Sequence, residues 1–188
     1  MGLMLIRRAD AGWRPALRRH LLALDADDRY GRFGMVAADA LIEAYVAGID
    51  FRSDVCVVAS DATGRCCGLI HLALFAGVAE LGLSVQADCR RRGLGQQLLA
   101  AALQHARVRG ITEIHLVTAP SSVLRMCARL GVPYRLRQAY PRGVIECSGM
   151  ARRMALAVGS NADPAATAPA NRNGRPAGRG LGLSLAVG

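Results

Sequence analysis

Residues 78–99 read VAELGLSVQADCRRRGLGQQLL, an alternating run that passes through three arginines and a Gly-Leu-Gly turn into an apolar-periodic segment. Alternation up to Val85 is a strand signal, and Leu94, Leu98, Leu99, Ala102, Leu103 and Ala106 fall on one helical face that stops at Gly110. A strand feeding straight into a helix leaves the first-turn N–H groups of that helix without intrahelical partners, all aimed at one spot. Gly93 and Gly95 remove the Cβ atoms that would crowd this spot, so the positive helix terminus is open to an anion such as a phosphate. Arg90, Arg91 and Arg92 add charge around it. A plainer reading stands beside this one: two glycines making a tight turn, with solvated arginines.

Outward from this stretch the chain alternates element types. LMLIRRA reads as a first strand and WRPALRRHLLAL as an amphipathic helix, which DADDRYGRFG breaks; a second helix runs from about Ala37 to Gly48. DVCVVAS and CCGLIHLALF are strands joined by the turn DATGR, and Ala76-Gly77 is a two-residue turn into the 78–85 strand. After the central helix, TEIHLVT is a strand reached by a right-handed crossover, which creates one parallel pair. SSVLRMCARLG is a short helix with Ser121 or Ser122 as its cap, and YRLRQ and GVIECSG are closing strands. The expected fold is α/β (α+β): a mixed, mostly antiparallel sheet of about seven strands with helices on both faces. It occupies residues 1–150, and an Ala/Gly/Pro/Arg-rich tail over 151–188 is expected to be disordered.

Composition removes several functions. All 24 basic residues of this 188-residue chain are arginine, and the net charge is +10. Without lysine there is neither Schiff-base chemistry nor a Walker phosphate loop. The dinucleotide fingerprint fails too, because Leu98 stands at its third glycine. The positive surplus favours anionic partners, yet aromatics make up only 4% of the chain and none lies near the arginine run, which argues against a nucleic-acid module. Six cysteines lack CxxC spacing and four histidines are scattered, so reduced, buried thiols and no metal site are expected. Neither a transmembrane run nor a signal pattern is legible, and a cytoplasmic location is expected.

At these residues the chain resembles the GNAT N-acetyltransferase superfamily. The coenzyme A motif of that superfamily, Gln/Arg-x-x-Gly-x-Gly/Ala, is met by Arg90, Gly93 and Gly95 at the start of the helix after the fourth strand, and the element order over residues 3–149 agrees. DRYGRFG with AELGLSV also looks like the acetyltransferase domain of bacterial protein-acetylating enzymes. The resemblance implies acyl transfer from acetyl-CoA to an amine of a small molecule or protein. It implies that the backbone of Arg90, Arg91, Arg92, Gly93, Leu94 and Gly95, with Gln96, holds the diphosphate, and that Leu83, Ser84 and Val85 pair with the pantetheine arm as a strand would. Two positions depart from the superfamily's pattern. Cys127 stands where a tyrosine acid is common, and Pro120 where an asparagine contacts the cofactor, with Ser121 a candidate replacement.

Direct transfer from a thioester needs a base for the amine and a proton for the leaving thiolate. Glu80 is the candidate base: it is the one charged residue of GVAELGLSV and shares a strand face with Val78, Gly82 and Ser84. If Ala76-Gly77 is the turn, His71 stands opposite Gly82, a diagonal neighbour of Glu80, and either assists it or is a satisfied core histidine. Cys127 is a candidate acid or an inert buried thiol, and Tyr134 and solvent are other donors. The acceptor pocket is expected from DADDRYGRFG, the strand end near Phe75 and the closing strands. A catalytically idle acyl-CoA-binding sensor is the alternative of a different class, and an arginine-rich nucleic-acid binder a third.

Overall fold

The computed structural model describes residues 4–147, so the expected tail lies outside the described residues. Seven strands form one sheet: β1 (Leu5–Arg8), β2 (Val55–Ser60), β3 (Cys66–Phe75), β4 (Val78–Val85), β5 (Glu113–Leu116), β6 (Tyr134–Leu136) and β7 (Gly143–Glu146). Their order is β1-β2-β3-β4-β5-β7-β6, antiparallel throughout except for the parallel β4–β5 pair. This is the mixed, mostly antiparallel sheet the alternation pattern predicts. The β3–β4 hairpin turns on Ala76 and Gly77, both at positive φ (44° and 83°), so Ala73 faces Glu80 and His71 faces Gly82 as the two-residue turn requires.

Helices cover both faces. α4 (Leu94–Val108) and α5 (Ser121–Arg129) pack one face, where Leu98, Leu99 and Leu103 of α4 join Ile70, Leu72, Ala79 and Leu81 of the sheet in the larger core. Fully burying a leucine contributes roughly 1.5–3 kcal/mol, so this layer is a principal source of stability. α1 (Arg14–Leu22) and α3 (Asp39–Gly48) pack the other face through Leu17, Leu21, Ile42 and Val46 against Cys56, Val58 and Leu69. All six cysteines are free and buried.

Two local expectations need correcting. The segment DADDRYGRFG follows the end of α1 at Leu22, as expected, but is itself helical: residues Ala26–Phe33 form a further helix, α2. Asp25 caps it by accepting the Asp28 N–H at 2.8 Å, Asp27 and Asp28 oppose the positive end of the helix dipole, and Gly34 at φ 74° closes it. Arg29 then staples the region, donating to the carbonyls of Leu22, Leu24 and Ala37 and pairing with Asp39. At α5 the N-cap is Pro120, whose ring makes no side-chain cap, and Ser121 is the first helical residue rather than the cap. The consequence for the site is that α2 lies across β4 with Arg32 against it.

Candidate active site

β4 is paired on both sides only in its first half. Val78 to Leu81 run parallel to Glu113 to Leu116, and beyond Leu81 no described strand flanks β4 on that side. The edge from Gly82 to Val85, which includes the expected pantetheine-binding residues Leu83, Ser84 and Val85, is thus available to an extended ligand. A cleft opens there between Leu81, Leu83, Leu116, Val117 and Pro120. A larger concavity of about 350 Å³ beside α1, lined by Arg19, His20, Arg65 and Gln86, meets β4 at Ser84 through His20, and Arg65 in it is paired with Asp61 and Asp88.

At the end of β4 the chain reaches α4 through Arg90, Arg91 and Arg92, all exposed. Arg91 (φ 61°) and Gly93 (φ 75°) both take the left-handed conformation, and Gly93 is the N-cap of α4 with no side chain capping the helix. The first-turn amides of Leu94, Gly95 and Gln96 therefore remain available for an anion. Gly95 packs closely against α5: a Cβ there would sit 3.1 Å from the sulfur of Met126, which would have to give by a few tenths of an ångström. Arg90 is committed elsewhere, donating from Nε to the Val85 carbonyl at 3.0 Å and ion-pairing with Asp28 of α2. Ser121 is exposed, and its hydroxyl accepts from Arg125 at 3.1 Å.

The opposite face of β4 carries the polar groups. Glu80 is half-buried, and its Oε2 accepts the Tyr140 hydroxyl at 2.6 Å. Burial, and then the neighbouring carboxylate, push the Tyr140 phenol up to about 12, so it stays protonated at neutral pH. His115 stands beside Glu80 in the parallel register and is within reach of Glu113 at 3.2 Å. One residue pair further along, the Gly82 position is filled from outside: an ideal Cβ there would fall 1.0 Å from Nη1 of Arg32. Ser84, last on this face, has its hydroxyl 2.8 Å from Nε2 of His20.

Behind Gly82 runs a chain of buried polar groups. Arg32 Nη2 donates to the Tyr45 hydroxyl oxygen at 2.7 Å, the Tyr45 hydroxyl meets Nδ1 of His71, and Nε2 of His71 lies 3.0 Å from Asp54 Oδ2. Burial dominates the titration of His71 and pushes its pKa down, so the ring is neutral at pH 7. Burial opposes ionisation of Asp54, yet the hydrogen bonds from His71 and the Leu74 amide outweigh it and hold the carboxyl below its ordinary range. His71 shares the face of Glu80, as the hairpin register predicts, and both of its nitrogens are already engaged.

The expected site residues thus fall into two groups and an outlier. The β4 edge and the α4 terminus adjoin one another, while Glu80 and His71 lie together on the α2 side. Cys127 is fully buried in the core against α4, burial pushes its thiol up to about 11, and it has no hydrogen bond to Glu80, His71 or Tyr140. Tyr140, not Tyr134, reaches Glu80. Arg32, Tyr45, Asp54 and Tyr140 escape a reading by local pattern, since each meets its partner across a long stretch of chain. Only the cap at Asp25 and the stop at Gly34 signal that Arg32 is on a helix.

A model of the acetyltransferase (GNAT) family matches residues 19–131. No curated protein matches the sequence. Among solved structures, the GNAT domain of S. lividans PAT is similar at 20% identity, with a TM-score of 0.60 over 75% of this chain and 87% of that one. A GNAT-family acetyltransferase from Staphylococcus aureus is 16% identical, with a TM-score of 0.54 over 77% and 98% of the two chains. A phosphinothricin acetyltransferase from Sinorhizobium meliloti, solved with AcCoA, is 16% identical at a TM-score of 0.54 over 76% and 85%. Identities this low establish shared architecture alone. Among the described residues no helix is long and apolar enough to cross a membrane. With its seven-stranded sheet parting after Leu81 and a family model spanning more than half of its length, the chain belongs to the acetyltransferase (GNAT) family.

Proposed function

We propose that residues 1–150 form a cytoplasmic N-acetyltransferase domain that moves an acetyl group from acetyl-CoA directly to an amine. The observation that carries this reading is one junction: β4 loses its strand partner after Leu81 at the end where α4 begins without a side-chain cap. The edge over Leu83, Ser84 and Val85 binds the pantetheine amides by ladder chemistry, and the backbone of Arg90 to Gly95 with Gln96 binds the diphosphate. Arg91 and Arg92 neutralise charge there, and Ser121 at the first turn of α5 supplies a further polar contact. The bound thioester supplies the electrophilic carbonyl.

Glu80 is the general base in this reading. It takes a proton from the amine, directly or through one water, as the nitrogen lone pair forms the new N–C bond and the C–S bond breaks. Tyr140 holds the carboxylate in place as a positioning residue. His71 acts further back, fixing Tyr45, and is not itself the base because both ring nitrogens are engaged. Cys127 takes no part; the leaving thiolate takes its proton from solvent.

Calorimetric titration with acetyl-CoA and thiol release across a panel of small amines, polyamines and peptides test the reading together. Micromolar binding and amine-dependent thiol release are expected. Glu80→Gln should lower kcat/KM by roughly 10²- to 10⁴-fold, the usual worth of a general base. Unchanged turnover in that variant removes Glu80 from the role, and binding without turnover on any amine turns the assignment to an acyl-CoA sensor.

A further inference from the structure

Arg32 is a buried cation without an anion. It is 6% exposed, and among the described residues no carboxylate forms an ion pair with it. Its Nε has no hydrogen-bond partner, and Nη2 is satisfied by the neutral Tyr45 hydroxyl. The remaining compensation is diffuse: the ring faces of Phe33 and Tyr45 at 5.2 and 5.3 Å, and the C-terminal end of α2, in whose last turn Arg32 sits. A guanidinium taken out of water normally demands a carboxylate or phosphate in return.

The surroundings aim this cation rather than neutralise it. Asp54 accepts from the amides of Leu74 (3.1 Å) and Asp50 (3.2 Å) and from His71, which fixes the Nε2–H tautomer of the ring. His71 Nδ1 then accepts the Tyr45 proton, and the oxygen lone pairs of Tyr45 are left for Arg32. Every member of the relay is oriented, and its far end holds one nitrogen of the fork while the rest of the guanidinium lies over Gly82. Arg32 itself lines the cleft beside Leu81, Leu83 and Pro120. Gly82 and Glu80 are successive residues on one face of β4, about 7 Å apart along the strand.

We infer that Arg32 receives the carboxylate of the acceptor, so that the substrate is an amine bearing a carboxylate a few bonds from its nitrogen, an amino acid or a close analogue. Its carboxylate takes the open donors of Arg32 and its amino group then points up the strand to Glu80. The inference rests on the acyl-transfer reading above, and the chemistry is unchanged: the amine attacks the thioester carbon, the thiolate departs with its electron pair, and Glu80 receives the proton. Carboxylate on the transferred acyl group instead of the acceptor would suit the same guanidinium. Arg32 shares the α2 side of β4 with Glu80, whereas Leu81 packs toward α4, and this places the anion with the acceptor.

The test compares matched amines with acetyl-CoA as donor: phenylalanine against phenethylamine and phenylalanine amide, leucine against isoamylamine, histidine against histamine. The best carboxylate-bearing member should exceed its decarboxylated partner by about ten- to a hundredfold in kcat/KM, the range expected for hydrogen bonds to a charged group. Arg32→Met should bring the pair to parity while acetyl-CoA binding stays within about twofold, and Arg32→Lys should restore part of the preference. Gly82→Ala, which displaces the guanidinium without removing it, should lower the preference in the same direction. Calorimetry with N-acetylphenylalanine in the presence of coenzyme A gives a readout apart from turnover: binding to wild type and none to Arg32→Met. Amines used equally well with and without the carboxylate overturn the inference and leave acyl transfer standing. A preference that survives in Arg32→Met, or one that follows succinyl-CoA over acetyl-CoA, also overturns it. Arg32-dependent binding of N-acetylphenylalanine with no thiol release from any amine overturns the acyl-transfer reading and leaves the anion site standing.

Discussion

Ala79 and Leu81 of β4 turn toward α4 and join the apolar core, at 0% and 6% exposure. Glu80, Gly82 and Ser84, which alternate with them, meet Tyr140, Arg32 and His20, each a single polar group delivered by a different element. On the first face the energy is non-directional and spread over many dispersion contacts, so it resides in volume. On the second it resides in single atoms whose partners are irreplaceable. Substitutions on the α4 side should therefore move stability and spare chemistry, whereas on the polar face each substitution should act through the one group it removes, on chemistry at Glu80 and on acid stability at His20.

Leu98→Ala is the sharpest probe of the apolar face. Leu98 is fully buried and fills the space Gly68 leaves open, where a Cβ would lie 2.8 Å from its Cδ1. The truncation should lower the unfolding free energy by about 2–5 kcal/mol in urea titrations, while the folded fraction keeps its acetyl-CoA affinity. A loss below about 1 kcal/mol means that the layer repacks and that the two faces differ little.

His20 tests the polar face through pH. Burial holds its pKa down at about 4 against an ordinary 6.5, with Arg32 and Arg65 adding to the effect and the Cys66 carbonyl opposing it. Because the folded value is the lower one, the unfolded chain binds the extra proton. Stability from this group is complete above pH 6.5 and is lost as pH falls toward 4, by about 3 kcal/mol at ~1.4 kcal/mol per unit. His71 is shifted in the same direction, so the contribution of His20 is the difference between wild type and His20→Gln across that window. Superimposable pH profiles of the two proteins would remove His20 as an acid-sensitive contact.

The same contrast separates what is legible in the sequence from what is not. The apolar face, the hairpin register and the glycine turn rest on local rules: alternation, the two-residue turn at Ala76-Gly77, and glycines where a strand meets a helix. Those rules place Glu80 and His71 on one side of β4. They do not reach Arg32, which meets Gly82 fifty residues along the chain and lies on a helix whose two aspartates, with the Asp25 cap and Gly31, imitate a turn. Asp25 followed by the stop at Gly34 was the available signal. Nor does any spacing join Tyr140 to Glu80 or Asp54 to His71, because an ion or hydroxyl pair across a sheet has no period. Cys127 could be placed on α5 by pattern, but its burial depends on how α5 meets the core.

Tyr140→Phe is the smallest perturbation of the polar face. The phenol is 57% exposed and lies between β6 and β7, so removing one oxygen should change stability by no more than about 0.5 kcal/mol. Its hydroxyl nevertheless makes a 2.6 Å bond to the carboxylate assigned as base. If that bond positions Glu80, kcat should fall about tenfold with KM for acetyl-CoA unchanged, close to the ~1.4 kcal/mol typical of a hydrogen bond to a charged partner. A phenol pushed up to about 12 stays protonated through the neutral range, so the acid and alkaline limbs of the rate profile should keep their places in the variant. Loss of the alkaline limb, or a fall of a thousandfold, would make Tyr140 the proton donor to the leaving thiolate. The polar face of β4 would then hold both halves of the acid–base pair, with Glu80 drawing the proton from the amine and the loop beyond β6 returning one to sulfur.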